Sequence, residues 1–126
     1  MAENSGKLRI HLVEAKFERN TETFGKMDPY CKMAYREQEW KSKVVDGGGK
    51  HCVWKDQFWD VDVKYLGDDI TFKFYDEDVG KDDHIADGMT KTSALCVNGG
   101  IDEWFSLTYK GKDAGKVHFK CEWDSN

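Results

Sequence analysis

Hydrophobic and polar positions alternate along many short stretches of the chain. Because successive side chains of a strand point to opposite faces of a sheet, this period of two predicts strands with one apolar face. The alternation is cleanest over residues 8–12, 59–63, 70–74 and 117–123. Less regular strands are predicted over residues 30–36, 40–45, 84–92 and 103–109.

Glycine-rich turns separate several of these segments. Gly47-Gly48-Gly49 follows one predicted strand, and Asn98-Gly99-Gly100 precedes another. No stretch of a dozen residues keeps a helical period. Short strands with such turns are typical of two antiparallel sheets packed face to face, so we predict an all-β, eight-stranded antiparallel β-sandwich. The chain has 126 residues, which suits one domain over 1–126. The order of the strands in space stays open.

The apolar stretches are too short for a bilayer. The longest unbroken one covers residues 94–97, which predicts no membrane-spanning helix. The first residues have no apolar stretch of the kind that a secretion signal needs. We therefore expect a cytoplasmic protein with reduced thiols at its four cysteines, which are Cys31, Cys52, Cys96 and Cys121.

The negative charge of the chain is concentrated in one segment. The net charge is -5, and residues 60–87 hold ten acidic and three basic residues. The rest of the chain carries a slight positive excess. This distribution lacks the broad basic surface of a nucleic-acid binder, so we expect no nucleic-acid partner. It indicates instead a local site for cations.

Acidic residues crowd the segment that follows the predicted strand 70–74. They are Asp76, Glu77, Asp78, Asp82 and Asp83. Calcium takes six to eight oxygen ligands in a flexible geometry, which suits such a loop. Acidic residues also populate ordinary solvated loops, and both interpretations stay open at this point. An EF-hand is excluded, because its sixth loop position needs glycine and residue 81 is lysine.

Several motifs in order resemble those of the C2 domain family, a sandwich that binds calcium and membranes. They are Glu22, Gly25 and Asp28-Pro29-Tyr30, then the segments 53–58, 74–78, 83–85, 104–107 and 115–117. The resemblance covers about residues 6–123. It is strongest to small single-domain members, such as the elicitor-responsive proteins of plants.

The resemblance implies a calcium site made by two loops. The positions that match the family's ligands are Glu22, Asp28, Asp76, Asp78 and Asp83. Glu22 stands where the family usually has aspartate, so its coordination is an open question. Because the second loop is short, Asp82 is an alternative to Asp83 as the last ligand.

The resemblance further implies calcium-dependent binding of anionic phospholipid membranes. Calcium would cancel the local negative charge, as in an electrostatic switch, and the protein would associate reversibly with the membrane surface. Phe24 and Val79 are candidates for insertion, although Phe24 could instead fold back onto the sandwich. Lys41 and Lys43 are expected on one side of a strand, where they could bind lipid headgroups or serve as ordinary surface.

Other functions are weighed against this one. No zinc-protease motif, phosphate loop or nucleophile elbow is present, so we expect no enzymatic activity. A calcium-independent module that binds a protein partner is the main rival hypothesis. Calcium binding without a membrane partner, which would mainly stabilise the fold, is another. We expect a monomer.

Overall fold

The computed structural model describes residues 4–126, and strands account for most of them. The nine strands are β1 Gly6–Phe17, β2 Pro29–Tyr35, β3 Gln38–Lys41, β4 His51–Val53, β5 Phe58–Val63, β6 Asp69–Asp76, β7 Asp83–Lys91, β8 Asp102–Tyr109 and β9 Lys112–Ser125. Two short 3₁₀ segments, Thr92–Leu95 and Val97–Gly99, connect β7 to β8. None of the helices in this part of the chain is long and apolar enough to cross a membrane.

The strands form a curled antiparallel sheet whose two halves face each other. The first half has the order β3-β2-β6-β7, and the second has β8-β9-β1, with β4 and β5 on the far side of β1. Between β7 and β8 one pairing, Asp87 with Thr108, joins the halves within residues 4–126. This arrangement confirms the predicted β-sandwich and settles its strand order, since the first strand pairs with the last from Gly6 to Phe17.

Strand β1 is longer than its hydrophobic pattern predicts. Leu8, Ile10 and Leu12 alternate inward, but a bulge between Leu12 and Glu14 then shifts the register. After the bulge, Ala15 and Phe17 become the buried positions. An extra residue in one strand changes which side chains face the core, so the alternation is interrupted although the strand continues.

The outer edge of the second half is made by two strands in place of one. β5 pairs with the first part of β1, and the short β4 pairs with Glu14, Ala15 and Lys16. The sequence predicts no strand at β4. Together β4 and β5 line one side of β1, where the eight-stranded prediction has only the strand over residues 59–63.

The core lies between the two halves and is rich in aromatic rings. Phe72 contacts Phe119 edge-on, with ring centroids 5.1 Å apart, and Phe17 contacts Phe74 in the same way at 5.3 Å. Trp54 and Trp59 are buried there. Trp104 is 37% exposed and lies on the outer face of the sheet.

Trp104 stacks there on His118, with ring centroids 5.1 Å apart. Nδ1 of His118 lies 3.0 Å from a carboxylate oxygen of Glu14, and Nε2 contacts Asp102. The other oxygen of Glu14 lies 2.8 Å from Nε2 of His51. Hydrogen bonds that His118 makes to the carboxylates of Asp102 and Glu14 raise its pKa, because both carboxylates favour the charged imidazolium.

This arrangement predicts a pH-dependent stability. The pKa of His118 is raised in the folded state. Its contribution to the free energy of unfolding is therefore fully present below the pKa of the unfolded state, about 6.5, and is lost as pH rises through the raised pKa. After allowance for screening at exposed Asp102, we expect a loss of about 1 kcal/mol. Denaturant unfolding at pH 6 and pH 9 measures it. His118→Gln should abolish this part of the slope; an unchanged slope would contradict the assignment.

Three loops meet at one end of the sandwich. We call them loop 1 (residues 18–28), loop 2 (residues 42–50) and loop 3 (residues 77–82). The amide of Glu77 donates to the carbonyl of Asp28 at 3.0 Å, which joins loop 3 to loop 1. The amide of Gly49 donates to the carbonyl of Met27 at 3.0 Å, which joins loop 2 to loop 1. The predicted acidic segments therefore lie side by side.

Candidate metal centre

Asp76 is the buried centre of the acidic loops. It is the last residue of β6 and is fully buried. One carboxylate oxygen accepts a hydrogen bond of 2.7 Å from the amide of Asp28, and the other accepts one of 2.7 Å from the hydroxyl of Thr21. A buried carboxylate needs such donors to offset its lost hydration. Both donors come from loop 1, so Asp76 fixes the position of that loop.

Two further carboxylates lie beside Asp76. Oxygen atoms of Glu22, Asp76 and Asp83 all lie within 4.8 Å of one another. A hydrogen bond to Asp76, together with repulsion from its negative charge, raises the pKa of Glu22 to about 7. Neighbouring Asp78 and Asp83 act in the same direction. Such crowding favours the protonated form of Glu22 unless a cation is present.

The donors of this cluster are oxygens alone, from Glu22 of loop 1 and from Asp76 and Asp83 on the adjacent strands β6 and β7. Transition metals favour histidine or cysteine ligands, whereas calcium favours carboxylate oxygens in an adaptable geometry. The residues present therefore fit calcium. A cation at this position would also relieve the repulsion that raises the pKa of Glu22.

The other two predicted ligands lie at the border of the cluster. A carboxylate oxygen of Asp28 accepts a hydrogen bond of 2.7 Å from the amide of Gly47 in loop 2. A carboxylate oxygen of Asp78 accepts one of 2.8 Å from the amide of Val79. Neither carboxylate belongs to the group of oxygens that lie within 4.8 Å of one another. The structure thus brings three of the five predicted residues within mutual ligand distance and places two next to them.

The geometry distinguishes between the two candidates for the last ligand. Asp83 is in the cluster with Glu22 and Asp76. Asp82 has both oxygens engaged elsewhere, one by the hydroxyl of Tyr30 and the other by the amide of Asp78 at 3.0 Å. The arrangement favours Asp83 as the ligand.

Side chains that the sequence pattern does not mark hold loop 1 in place. Nε of Arg19 donates to the carbonyl of Ile85 at 3.0 Å, and its guanidinium lies 3.6 Å from the centre of the Tyr109 ring. These contacts attach the start of loop 1 to β7. Gly25, at the tip, has a φ of 81°, a left-handed conformation that favours glycine. Gly25 belongs to a motif visible in the sequence, whereas Arg19 belongs to none.

The two predicted insertion residues extend from loops 1 and 3. Phe24 is 89% exposed and Val79 is 100% exposed. Phe24 therefore does not fold back onto the sandwich, which was the alternative. Both side chains are therefore available for contact with a membrane or a partner.

The two predicted headgroup lysines lie at the end of β3. The strand ends at Lys41, so Lys43 lies beyond the strand that was predicted to carry both, and the two residues are exposed on either side of the buried Ser42. Regular pairing with β2 ends there because the amide of Cys31 donates to the hydroxyl of Ser42 at 2.9 Å. The amide of Lys43 donates to the side chain of Gln57 at 2.8 Å. Nζ of Lys41 lies 4.5 Å from the centre of the Tyr30 ring.

Lys41 lines a groove on the outer face of the first half of the sheet. We call it the basic groove. It has a volume of about 560 Å³, and its charged lining includes Lys32, Lys41 and Lys73 beside the rings of Trp40 and Tyr75. Lys43 is not among the lining residues. The groove extends to the base of loop 3, since Tyr75 precedes the buried Asp76.

Comparison with known protein families agrees with this architecture. The sequence profile of the C2 domain matches residues 6–107, which is most of the chain. The chain belongs to the C2 domain family.

Extended synaptotagmins are among the relatives of this C2 domain. Extended synaptotagmin-3 of Mus musculus is 30% identical over 122 residues, which are 94% of this chain and 13% of the relative. Extended synaptotagmin-2 of Mus musculus is 31% identical over 124 residues, again 94% of this chain and 14% of the relative. The domain thus spans about a seventh of these curated relatives.

Solved structures show the same fold. The calcium-bound C2A and C2B domains of extended synaptotagmin 2 match with a TM-score of 0.81 and 28% identity, covering 98% of this chain and 47% of that one. A C2 domain-containing protein from an elicitor-responsive gene matches with a TM-score of 0.82 and 24% identity, covering 100% of this chain and 93% of that one. The predicted resemblance to small C2 proteins is confirmed at the level of the fold.

Proposed function

We propose that this C2 domain binds anionic phospholipid membranes in response to calcium, acting as an electrostatic switch. The observation that carries the proposal is the meeting of Glu22, Asp76 and Asp83, whose oxygens lie within 4.8 Å of one another. Asp28 and Asp78 border this cluster and would complete the ligand set. The exposed side chains of Phe24 and Val79 lie on the same loops.

The charge of the loops explains why binding would need calcium. Without a cation, the clustered carboxylates give this end of the sandwich a strong negative potential, which the anionic cytoplasmic leaflet repels. The raised pKa of Glu22 reflects the same crowding. Calcium supplies compensating positive charge and coordination positions that lipid phosphate oxygens can fill.

A relative's structure supports calcium as the cation. The C2A and C2B domains of extended synaptotagmin 2, which are 28% identical to this chain, have been solved with calcium bound. Glu22 is one methylene longer than the aspartate that the family usually has at this position. Because calcium accepts ligands in a flexible geometry, the longer side chain is compatible with binding.

Phe24 and Val79 would add an apolar contribution to binding. Once calcium removes the repulsion, their side chains can enter the acyl boundary of the bilayer. Burial of a phenylalanine side chain contributes about 1.5–3 kcal/mol, and valine adds to this. The electrostatic and the apolar parts of the binding can therefore be separated by mutation.

The basic groove offers a second contact with an anionic membrane. Lys32, Lys41 and Lys73 are spaced around it, and phosphate groups on a lipid would meet several ammonium groups at once. Lys43 lies outside the lining, so the headgroup proposal rests on Lys41 and its two neighbours.

Co-sedimentation with phosphatidylserine-containing vesicles tests the proposal. We expect the wild-type protein to pellet with vesicles in calcium and to stay in solution with excess chelator. Phe24→Ser/Val79→Ser should bind calcium normally but partition at least tenfold more weakly, because the insertion energy is lost. Val97→Ser is the matched control, since Val97 is also exposed, at 52%, but follows the opposite end of β7.

The alternatives give different results in the same experiment. Membrane binding that is equal with and without calcium would contradict the switch. No membrane binding in either condition would favour a module that binds a protein partner. Calcium binding without vesicle binding would leave calcium with a role in stabilising the fold.

A further inference from the structure

Tyr30 connects the sheet to loop 3. It is the second residue of β2, and its side chain is 2% exposed. Its hydroxyl donates to a carboxylate oxygen of Asp82, across 52 residues of sequence. Tyr30 is therefore a buried residue of a rigid element whose one polar atom reaches the loop.

Asp82 carries this connection to the other side of the loop. Its second oxygen accepts a hydrogen bond of 3.0 Å from the amide of Asp78. The hydroxyl of Tyr30 and the amide of Asp78 lower the pKa of Asp82, because both favour the ionised carboxylate. The carboxylate thus closes loop 3 from Asp78 to Asp82 and ties it to β2.

Loop 3 has few other attachments in the described structure. Residues 77–82 belong to no strand, and Val79, Gly80 and Lys81 are exposed. The amide of Glu77 is bonded to Asp28, which fixes only the beginning of the loop. A loop of this kind would have to lose conformational freedom before its carboxylates could bind an ion, at a cost in affinity.

The ring of Tyr30 is itself held from two directions. It stacks on Tyr75, its cross-strand neighbour, with ring centroids 5.6 Å apart. The ammonium group of Lys41 lies 4.5 Å from its centre on the side of the basic groove. The hydroxyl therefore has a fixed position from which to hold Asp82.

We propose that Tyr30 is a positioning residue of the metal centre, which acts through Asp82 to hold loop 3 in the conformation that binds calcium. The inference rests on the proposed function, because it assumes that the loops bind calcium. It assigns Asp82 a role in positioning loop 3 and not in binding the ion. Tyr30 itself does not touch the ion.

A double-mutant cycle tests this inference. We expect Tyr30→Phe and Asp82→Ala each to lower calcium affinity about 5–10-fold in a calorimetric titration. The double variant should lose no more calcium affinity than the single variant with the larger loss, because both changes break the same connection. Tyr35→Phe is the matched control: Tyr35 is the last residue of the same strand, and its hydroxyl donates to the carboxylate of Asp68 at 2.5 Å, at the opposite end of β2 from loop 3. It should stay within twofold of the wild type.

A measurement without calcium separates positioning from coordination. Amide hydrogen exchange at Asp78 and Val79 should be about tenfold faster in Tyr30→Phe than in the wild type, with excess chelator present. The core strands should exchange at unchanged rates, which shows that the fold is intact.

Different failures have different meanings. If the wild type binds calcium and Tyr30→Phe binds it equally well, this inference is overturned and the proposed function stands. If Asp82→Ala loses far more calcium affinity than Tyr30→Phe, and the two losses multiply in the double variant, Asp82 is itself a ligand. The proposal that Asp82 only positions loop 3 is then wrong. If the wild type binds no calcium, both proposals fall.

Discussion

Asp76→Asn is expected to abolish the stabilisation of the domain by calcium. A ligand that binds the folded state at a concentration 100 times its dissociation constant adds about 2.7 kcal/mol of stability. For a domain of this size, that corresponds to a rise in Tm of about 10 °C. Asp76 is the buried member of the cluster and positions loop 1 as well, so its charge should be indispensable. Thermal unfolding with calcium and with chelator measures the effect.

The matched control for this variant lies on the same strand. Asp69 is at the other end of β6, where it is exposed and pairs with Lys91 at 2.8 Å. Asp69→Asn should retain the full shift in Tm. If Asp76→Asn kept that shift as well, calcium would bind elsewhere, and the assignment of the metal centre would be wrong.

Phe72→Ala is expected to cause the largest loss of stability in the core. The ring is 1% exposed, meets Phe119 edge-on and lies directly over Gly88, where an added Cβ would be 2.3 Å from a ring carbon. Removal of a buried phenylalanine leaves a cavity and costs about 3–5 kcal/mol. Since natural domains have about 5–15 kcal/mol in total, the variant should lose a large part of its stability.

Denaturant unfolding measures this loss. Phe24→Ala serves as the control, because Phe24 is almost fully exposed and its removal should change stability by less than about 0.5 kcal/mol. A loss below about 1 kcal/mol for Phe72→Ala would show that the ring does not fill the core as described. The same control separates the roles of the two residues, since Phe24 should matter only on the membrane.

The sandwich could be predicted because its strands have one buried face. In β6, Ile70, Phe72 and Phe74 all face the core, as their alternation indicates. The same reasoning fails where the register changes or the strand is short. The bulge after Leu12 interrupts the hydrophobic alternation, so the second part of β1 is not recognised. The three residues of β4 are too few to show a period.

The chemistry of the site could be predicted better than its geometry. Acidic residues at the ends of adjacent strands indicate where an ion could bind. Whether each carboxylate turns toward the centre depends on its neighbours: Asp28 meets the amide of Gly47, and Asp82 meets the hydroxyl of Tyr30. These partners are 19 and 52 residues away along the chain, so no local pattern marks them.

Calorimetric titration of calcium into the wild-type protein, alone and with phosphatidylserine-containing vesicles, tests the central claim most directly. If calcium and the membrane bind cooperatively, each must strengthen the other by the same factor. We therefore expect saturable calcium binding that becomes at least tenfold tighter with anionic vesicles and is unchanged with neutral ones. No calcium binding, or an affinity indifferent to the anionic membrane, would contradict the electrostatic switch.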